Sequence, residues 1–247
     1  MSGTTANSNR DILCVIPARA GSKGIPGKNT IEFSGKPLLA WTIEAALGAE
    51  SVGPVIVTTE SEETAGIAKE WGADVPFLRP AELAQDNVHA IYTVLHTLNW
   101  YQESKGHLPF GVMMLLPTSP LRTVRHVEEA AQLFLTQDAP AVIGVTDLGK
   151  HMTNLRYMNG HLLERVASDV SPNQQRQGVA SLYGVTGAMF LARSDLLKAE
   201  ETFHLSGALG FPMSALSAID VNTPEDLALA RWVKKAGWSD KALRPSD

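Results

Sequence analysis

The sequence contains a single cysteine, Cys14, so no disulfide bond can form within the chain. This residue lies in the apolar run ILCVI, which is typical of a small buried hydrophobic side chain. No apolar run approaches the roughly 18 residues that a membrane-spanning helix needs, and residues 1–10 lack the apolar segment of a signal peptide. We therefore expect a cytoplasmic protein with no membrane partner, in which residues 1–10 form a disordered tail.

Positive charge is also scarce. The chain has 21 Lys and Arg against 26 Asp and Glu, which gives a formal net charge of −5. A protein that binds the phosphate backbone of nucleic acid or an anionic membrane normally needs a net basic surface, so neither is expected as a partner. Any anion site must therefore be a local cluster of lysines and arginines. The length of 247 residues suits one large α/β domain.

Short apolar runs alternate with amphipathic stretches over the first 146 residues. Apolar strands that alternate with helices predict a parallel sheet covered on both faces, and the right-handed crossover rule makes it a Rossmann-like, doubly wound layer. Ser61 is predicted to cap one helix and Gly72 to end it. The predicted strands are 11–18, 54–59, 75–78, 111–117 and 141–146, and the predicted helices are 37–49, 61–73, 88–103 and 124–137.

The alternation stops after residue 147. Asn159-Gly160 lies between apolar flanks, which predicts a β-hairpin and hence a small antiparallel arm at about 148–182. A returning strand is predicted at 182–192, with Tyr183 and Phe190 as core residues. A last helix is predicted at 223–237, opened by a threonine cap and a proline. The simplest division is a single domain, 11–247, with an inserted arm.

The first predicted strand continues into a loop rich in glycine and positive charge, IPARAGSKGIPGKN at residues 16–29. The loop differs from a Walker A motif, because five residues separate Gly21 from Gly27 and Asn29 stands where serine or threonine would coordinate magnesium. It would lie at the carboxyl edge of the sheet, where open α/β folds bind ligands. Its N–H groups and cations suit a polyphosphate, and a solvated turn is the alternative. The cations are Arg19, Lys23 and Lys28.

Six motifs together carry a resemblance to a known family. They are IPARAGSKGIPGKN, GKPLLAWTIEAA, FLRPAELAQD, LLPTSPLRT, RQ and IDVNTPEDL, and they extend in order from about residue 12 to 230. The chain resembles the acylneuraminate cytidylyltransferases, whose relatives activate pseudaminic, legionaminic and, more distantly, 3-deoxy-manno-octulosonic acids. The resemblance implies transfer of CMP from CTP to a 2-keto-3-deoxy sugar acid, with release of pyrophosphate.

The resemblance also implies roles for individual residues in binding CTP. The loop would hold the triphosphate, with Lys28 nearest the reacting phosphorus, and Arg79 would lie beside the cytosine base. The alternative for Arg79 is an ion pair with Glu82 or another carboxylate. The implied catalytic residues are Arg19, Lys28 and Asp220. The implied CTP-binding residues are Arg19, Ala20, Gly21, Ser22, Lys23, Lys28, Asn29 and Arg79.

The resemblance implies that a second set of residues would bind the acid acceptor. An arginine suits this role because it can bind a carboxylate with two parallel hydrogen bonds. For Arg122, which would face the ligand, a surface arginine after a turn is an equal alternative. The implied acceptor residues are Leu116, Arg122, Arg176, Gln177 and Thr186.

The sequence departs from the family pattern in this pocket. Leu116 stands where the family usually has glutamine, Thr186 stands where it has asparagine, and Gly184 replaces a basic residue of some members. These changes remove polar contacts expected for a nine-carbon sugar. The acceptor is therefore either sialic-acid-like or a different acid, such as another nonulosonate or a phosphonate.

The implied cofactor is Mg²⁺, which prefers hard oxygen ligands. The family commonly presents Asp-x-Asp before the last helix, whereas this chain has Asp220-Val221-Asn222. Asp220 would carry the metal, Asn222 would assist it or hold a bound water, and a plain cap or ion-pair role for Asp220 is the alternative.

Two functions from other classes remain open at this stage. A non-catalytic CTP-binding protein could keep the loop and lose the chemistry with the second aspartate. A glycosyltransferase is disfavoured, since no clear DxD motif is found, and the histidines show no metal-ligand spacing.

The resemblance further implies a homodimer in which the arm reaches across to the partner's acceptor pocket. The expected small-molecule partners are CTP and an acidic substrate.

Overall fold

A computed structural model describes residues 11–22, 24–149, 155–166 and 181–238. The predicted tail at 1–10 lies outside these residues. The strands are β1 (Ile12–Pro17), β2 (Glu32–Phe33), β3 (Lys36–Pro37), β4 (Val55–Thr58), β5 (Gly111–Met114), β6 (Ala141–Asp147), β7 (Arg156–Asn159), β8 (Leu162–Arg165), β9 (Tyr183–Arg193) and β10 (Leu209–Met213). The helices are α1 (Leu38–Leu47), α2 (Glu62–Glu70), α3 (Ala90–Lys105), α4 (Val124–Thr136), α5 (Ser194–Glu200) and α6 (Pro224–Lys235).

The main sheet has six strands in the order β10-β6-β9-β5-β1-β4. The pairs β1–β4, β1–β5 and β6–β10 are parallel, whereas β9 is antiparallel to both β5 and β6. Helices cover both faces, so the predicted Rossmann-like, mostly parallel sheet is confirmed. No helix in the described part of the chain is long and apolar enough to cross a membrane.

Strand β1 shows why the sheet needs both layers of helices. Its apolar residues are buried and alternate between two cores. Ile12, Cys14 and Ile16 pack in the core that includes α1 and α4, whereas Leu13 and Val15 pack in the core that includes α3. A strand buried on both faces reads as a continuous apolar run, which is the pattern of its sequence. Burial raises the pKa of the Cys14 thiol to about 12.

Helix caps place the elements near the site as their sequences predict. The Ser61 hydroxyl accepts a hydrogen bond from the N–H of Thr64, 3.2 Å away, at the start of α2. Thr223 and Asp226 form a reciprocal capping box at the start of α6, with Pro224 at its first turn. These caps fix the two segments that precede the helices, and both segments border the site.

Several sequence expectations differ from the structure. Residues 75–78 do not form a strand: only Asp74 bridges to Ile56, and Pro76 has no N–H to continue a ladder. Tyr183 is not a core residue, because it is 54% exposed at the start of β9. Helix α5 and strand β10 had no counterpart among the predicted elements.

The predicted hairpin is present as β7 and β8. Asn159 pairs with Leu162, so the two-residue turn is Gly160-His161, one position later than the Asn-Gly signal suggests. Gly160 has φ +60°, as the first central residue of a type II′ turn requires. The two strands form a sheet of their own, and every one of their residues is exposed.

Candidate active site

The loop after β1 folds back on itself and lies against the segment before α6. Asn29 is buried, and its side-chain amide donates to the backbone oxygen of Arg19 at 2.8 Å. Gly24 faces the backbone of Asn222 so closely that a Cβ there would lie 2.2 Å from the Asn222 oxygen. Gly27 has φ +63°, which a side chain would disfavour. These glycines allow the loop to make contacts that a residue with a side chain would prevent.

Two clefts adjoin each other beside this loop, at the carboxyl ends of β1, β4 and β5. The first cleft has a volume of about 200 Å³ and the second about 230 Å³, and Pro17, Arg19 and Leu116 line both. The first cleft is further lined by Gly21, Ser22, Lys28, Asn29, Pro117, Thr118, Asp220 and Asn222. The second is further lined by Arg79, Leu83, Gln85, Asp86, Val88, Ala90 and Thr93.

A chain of hydrogen bonds crosses the first cleft. The ammonium of Lys28 donates to the Val221 backbone oxygen at 2.9 Å and to Asn222 Oδ1 at 3.1 Å. The Asn222 side-chain nitrogen in turn donates to Asp220 Oδ2 at 2.7 Å. Partial burial lowers the pKa of Lys28, and the negative charge of Asp220 opposes this effect. The amide of Asn222 thus joins a lysine to a carboxylate.

Asp220 presents one carboxylate oxygen that is still unused. Its Oδ1 is buried and has no hydrogen-bond partner within the described ranges. Gly187 lies alongside, since a Cβ there would be 3.5 Å from Asp220 Oδ2. An unpaired buried carboxylate oxygen fits a hard cation such as Mg²⁺. No cluster of three or more metal-ligating side chains occurs among the described residues.

The second cleft is built around a buried arginine. Arg79 donates from Nη2 to Glu60 Oε2 at 2.6 Å and from Nη1 to the Thr93 hydroxyl at 3.3 Å. The other oxygen of Glu60, Oε1, accepts from the backbone N–H of Ala20 in the loop at 2.7 Å. Partial burial would raise the pKa of Glu60, but the hydrogen bonds from Arg79 and Ala20 outweigh it and lower the pKa. The carboxylate partner of Arg79 is therefore Glu60 and not Glu82.

Arg19 lies at the junction of the two clefts. Its guanidinium forms an ion pair with Asp86 at 2.5 Å, and the two side chains are 37% and 45% exposed. Such an exposed pair is weak and open to exchange. An incoming anion therefore meets an arginine whose present partner is replaceable.

The structure places two of the expected acceptor residues differently from the sequence expectation. Arg122 lines neither cleft: it is buried, and its guanidinium donates to the backbone oxygens of Leu116 and Ala188 and to the Thr42 hydroxyl. Burial lowers its pKa to about 10. Thr186 is also buried, with its hydroxyl 3.1 Å from the Gly144 oxygen that it donates to. Both side chains support the wall of the site from behind.

The remaining expected residues divide into two groups. Leu116 lies at the junction of both clefts. Lys23, Arg176 and Gln177 lie outside the described residues. Sequence reasoning missed Glu60, Thr93 and Asp86. The only available signal was position: Glu60 directly follows a predicted strand at the edge where ligands bind.

Fold and clefts together define a Rossmann-like, nucleotide-binding α/β protein with a cationic glycine-rich loop at the sheet edge. Residues 13–176 match the family model described as cytidylyltransferase. The chain belongs to the cytidylyltransferase family.

Similar proteins support the same assignment. The chain is 33% identical over 225 residues to a CMP-N,N'-diacetyllegionaminic acid synthase from Legionella pneumophila, covering 88% of this chain and 94% of that protein. It is 35% identical over 221 residues to an N-acylneuraminate cytidylyltransferase from Escherichia coli, covering 89% of this chain. The chain spans about half the length, 51%, of that relative.

Solved structures share the fold at low sequence identity. A CMP:2-keto-3-deoxy-manno-octonic acid synthetase complexed with CTP has a TM-score of 0.68 at 18% identity, covering 92% of this chain and 100% of that one. A 4-diphosphocytidyl-2C-methyl-D-erythritol synthase has a TM-score of 0.66 at 13% identity, covering 91% and 99%.

Proposed function

We propose that the protein transfers CMP from CTP to a sialic-acid-like 2-keto-3-deoxy sugar acid and releases pyrophosphate. The observation that carries the proposal is the pair of adjoining clefts, one with Lys28 and Asp220 and the other with Arg79. Two relatives are named as a CMP-N,N'-diacetyllegionaminic acid synthase and an N-acylneuraminate cytidylyltransferase, and these names support the substrate class.

CTP would span both clefts. The triphosphate would lie in the first cleft against the loop, where Arg19 and Lys28 supply positive charge. The cytosine would lie in the second cleft near Arg79, whose Nε is buried without a hydrogen-bond partner among the residues described. A carbonyl oxygen of the base would satisfy such a donor. Leu116 and Pro17, which line both clefts, would lie under the ribose.

The reaction needs positioning and neutralisation of charge more than covalent help from the protein. The anomeric hydroxyl of the acid attacks the α-phosphorus, a new O–P bond forms, and the bond to the β-phosphate oxygen breaks. The hydroxyl proton is released and pyrophosphate leaves with the electron pair. Lys28, held by Val221 and Asn222, would stabilise the charge that develops on the phosphate oxygens.

Mg²⁺ fits the first cleft through Asp220, whose Oδ1 is available. The ion usually keeps several waters and binds one or two carboxylates together with substrate phosphates, so a single aspartate suffices. When bound, it would neutralise phosphate charge. Asn222 is the weaker candidate ligand, because its oxygen accepts a hydrogen bond from Lys28.

The acceptor would approach beside Leu116, whose apolar side chain offers no hydrogen bond. With the Thr186 hydroxyl already bonded to Gly144, the described wall is less polar than a polyhydroxylated sugar prefers. This observation favours a second candidate, the same CMP transfer to a different acid such as a phosphonate.

The exposed hairpin β7–β8 supports a homodimer, since its apolar side chains Tyr157, Met158, Leu162 and Leu163 are 61–76% exposed.

Calorimetry with CTP, UTP, GTP and ATP in the presence of Mg²⁺ tests the nucleotide. We expect a clear preference for CTP, and equal affinity for ATP would contradict the proposal. Pyrophosphate release is then measured with N-acylneuraminic, legionaminic, pseudaminic and octulosonic acids and with a phosphonate. Arg79→Lys is the matched variant, because it keeps the charge but cannot reproduce the forked contacts. CTP binding without pyrophosphate release would favour the non-catalytic alternative.

A further inference from the structure

Glu60 contacts both halves of the site and lines neither cleft. It lies two residues after the end of β4 and immediately before Ser61, the cap of α2. Its backbone neighbours are fixed, since Thr58 accepts from the N–H of Ala18 at 3.0 Å and Thr59 accepts from the N–H of Arg79 at 2.8 Å. The side chain therefore starts from a fixed point between the loop and the second cleft.

The two oxygens of this carboxylate have different partners. Oε1 accepts from the Ala20 N–H at 2.7 Å, and Oε2 accepts from the guanidinium of Arg79 at 2.6 Å. The carboxylate is only 23% exposed, and the Arg79 side chain is 3% exposed. Hydrogen bonds to a charged group in such a setting are stronger and better oriented than exposed ones.

We infer that Glu60 is a positioning residue that makes binding of the nucleobase and binding of the triphosphate interdependent. When a base engages Arg79, the guanidinium holds Oε2 in place, and the rigid carboxylate then holds the Ala20 N–H and the loop around it. A loop without this hold would lose more conformational freedom on binding the triphosphate than a loop already held by Glu60, and it would therefore bind more weakly. The inference rests on the proposed function, because it takes the base to lie at Arg79 and the phosphates at the loop.

Glu60→Gln separates this role from a simple electrostatic one. An amide has one acceptor oxygen where the carboxylate has two, so one of the two links is lost. If Glu60 acted only as a negative charge, its removal would tighten the binding of an anion. A positioning role predicts the opposite sign. Glu60→Asp keeps the charge but is one methylene shorter, so it serves as the second variant.

The experiment measures by calorimetry the affinity for inorganic tripolyphosphate and the preference for CTP over ATP, whose base has no carbonyl oxygen. We expect both Glu60 variants to bind tripolyphosphate at least fivefold more weakly and to lose at least fivefold of the CTP preference. Thr93→Val is the matched control: it removes the other hydrogen bond of Arg79 and should lower the base preference while leaving tripolyphosphate affinity unchanged. Unchanged melting temperatures exclude general unfolding.

Glu60 variants that bind tripolyphosphate as well as or better than the wild type overturn the inference. So do variants that keep the full CTP preference. A wild-type protein that binds CTP no better than ATP instead removes the proposed function, and the inference with it. The two failures are therefore distinguished by which protein, wild type or variant, gives the unexpected result.

Discussion

Replacing Asn222 with aspartate should make the protein depend on Mg²⁺ for part of its stability. The Asn222 side-chain nitrogen lies 2.7 Å from Asp220 Oδ2 and donates to it. In Asn222→Asp an oxygen takes the place of that donor, so two carboxylates face each other with no hydrogen between them. Two unit charges at that separation repel by about 1.5 kcal/mol in bulk water and about 6 kcal/mol at an effective dielectric of 20.

The net cost is smaller than the repulsion alone. The new carboxylate can rotate away, and it gains attraction to the ammonium of Lys28, which now donates to Asn222 Oδ1 at 3.1 Å. The backbone at residue 222 cannot move freely, because its N–H donates to Asp226 in the capping box of α6 at 3.0 Å. We expect a loss of about 1–3 kcal/mol in the unfolding free energy, within the usual range for disrupting a hydrogen-bonded network. In a chain of this size that lowers the melting temperature by roughly 3–10 °C.

Differential scanning fluorimetry in EDTA and in a magnesium series measures the effect. Mg²⁺ should restore most of the lost stability, because it neutralises the carboxylate pair and binds the native state. The wild type should respond less to magnesium, having one carboxylate at this place. Asn222→Ala is the control: it removes both hydrogen bonds and adds no charge, so its loss should not be restored by the ion. Equal melting temperatures for wild type and Asn222→Asp in EDTA, with equal magnesium responses, would refute the reasoning.

Four further predictions concern the loop and the hairpin. Gly24→Ala should lower kcat/KM by on the order of a hundredfold, since its Cβ would lie 2.2 Å from a backbone oxygen and displace the loop. Gly21→Ala is the control: its Cβ meets no atom within 4 Å, so this variant should keep normal stability. Lys28→Ala should lower turnover by about a hundredfold or more in pyrophosphate release. Burial lowers the pKa of Lys28, and a bound triphosphate would raise it. The wild type should therefore take up protons when it binds CTP, and the uptake should increase as the pH rises toward the lowered pKa of the free protein. Titration in buffers of different ionisation enthalpy measures this uptake, and Lys28→Ala should lose it. Leu163→Glu should shift a dimer to monomer in light scattering, and a wild-type monomer with full activity would contradict the proposed dimer.

The parts of the fold that could be predicted are those with a strong local pattern. Strand β1 is a continuous apolar run, and α2 and α6 carry caps that are readable as Ser61 and Thr223-Pro224. Periodicity and capping depend on neighbours in the sequence, so one chain suffices to recognise them. The loop after β1 was predictable for the same reason, because its glycines and cations are contiguous.

The parts that could not be predicted depend on residues far apart in the chain. Strand β10 is short and exists because it pairs with β6, and Arg122 turns inward because Thr42 and Ala188 offer acceptors there. Glu60 follows the same rule: its partner at residue 20 is 40 positions away. A charged residue after a strand is common, and only the fold reveals which one bridges two parts of a site. Residues 75–78 are an apolar stretch that was predicted as a strand, but they form none because no strand that the structure describes pairs with them.

The charge balance of the first cleft bears on the proposed binding of a triphosphate there by a protein of net charge −5. Among the described lining residues of that cleft, Arg19 and Lys28 carry positive charge and Asp220 carries negative charge, so the sum is one positive charge. With aspartate at position 222 the sum would be zero before any metal arrives, and attraction of a free polyphosphate would weaken. The neutral amide keeps the cleft attractive to the anion and still connects Lys28 to Asp220 through two hydrogen bonds. Asn222→Asp should therefore bind CTP more weakly than the wild type in EDTA and approach wild-type affinity only as magnesium is added. Calorimetry at both conditions checks this, and tighter CTP binding by the variant in EDTA would show that the sign of the local charge does not govern binding.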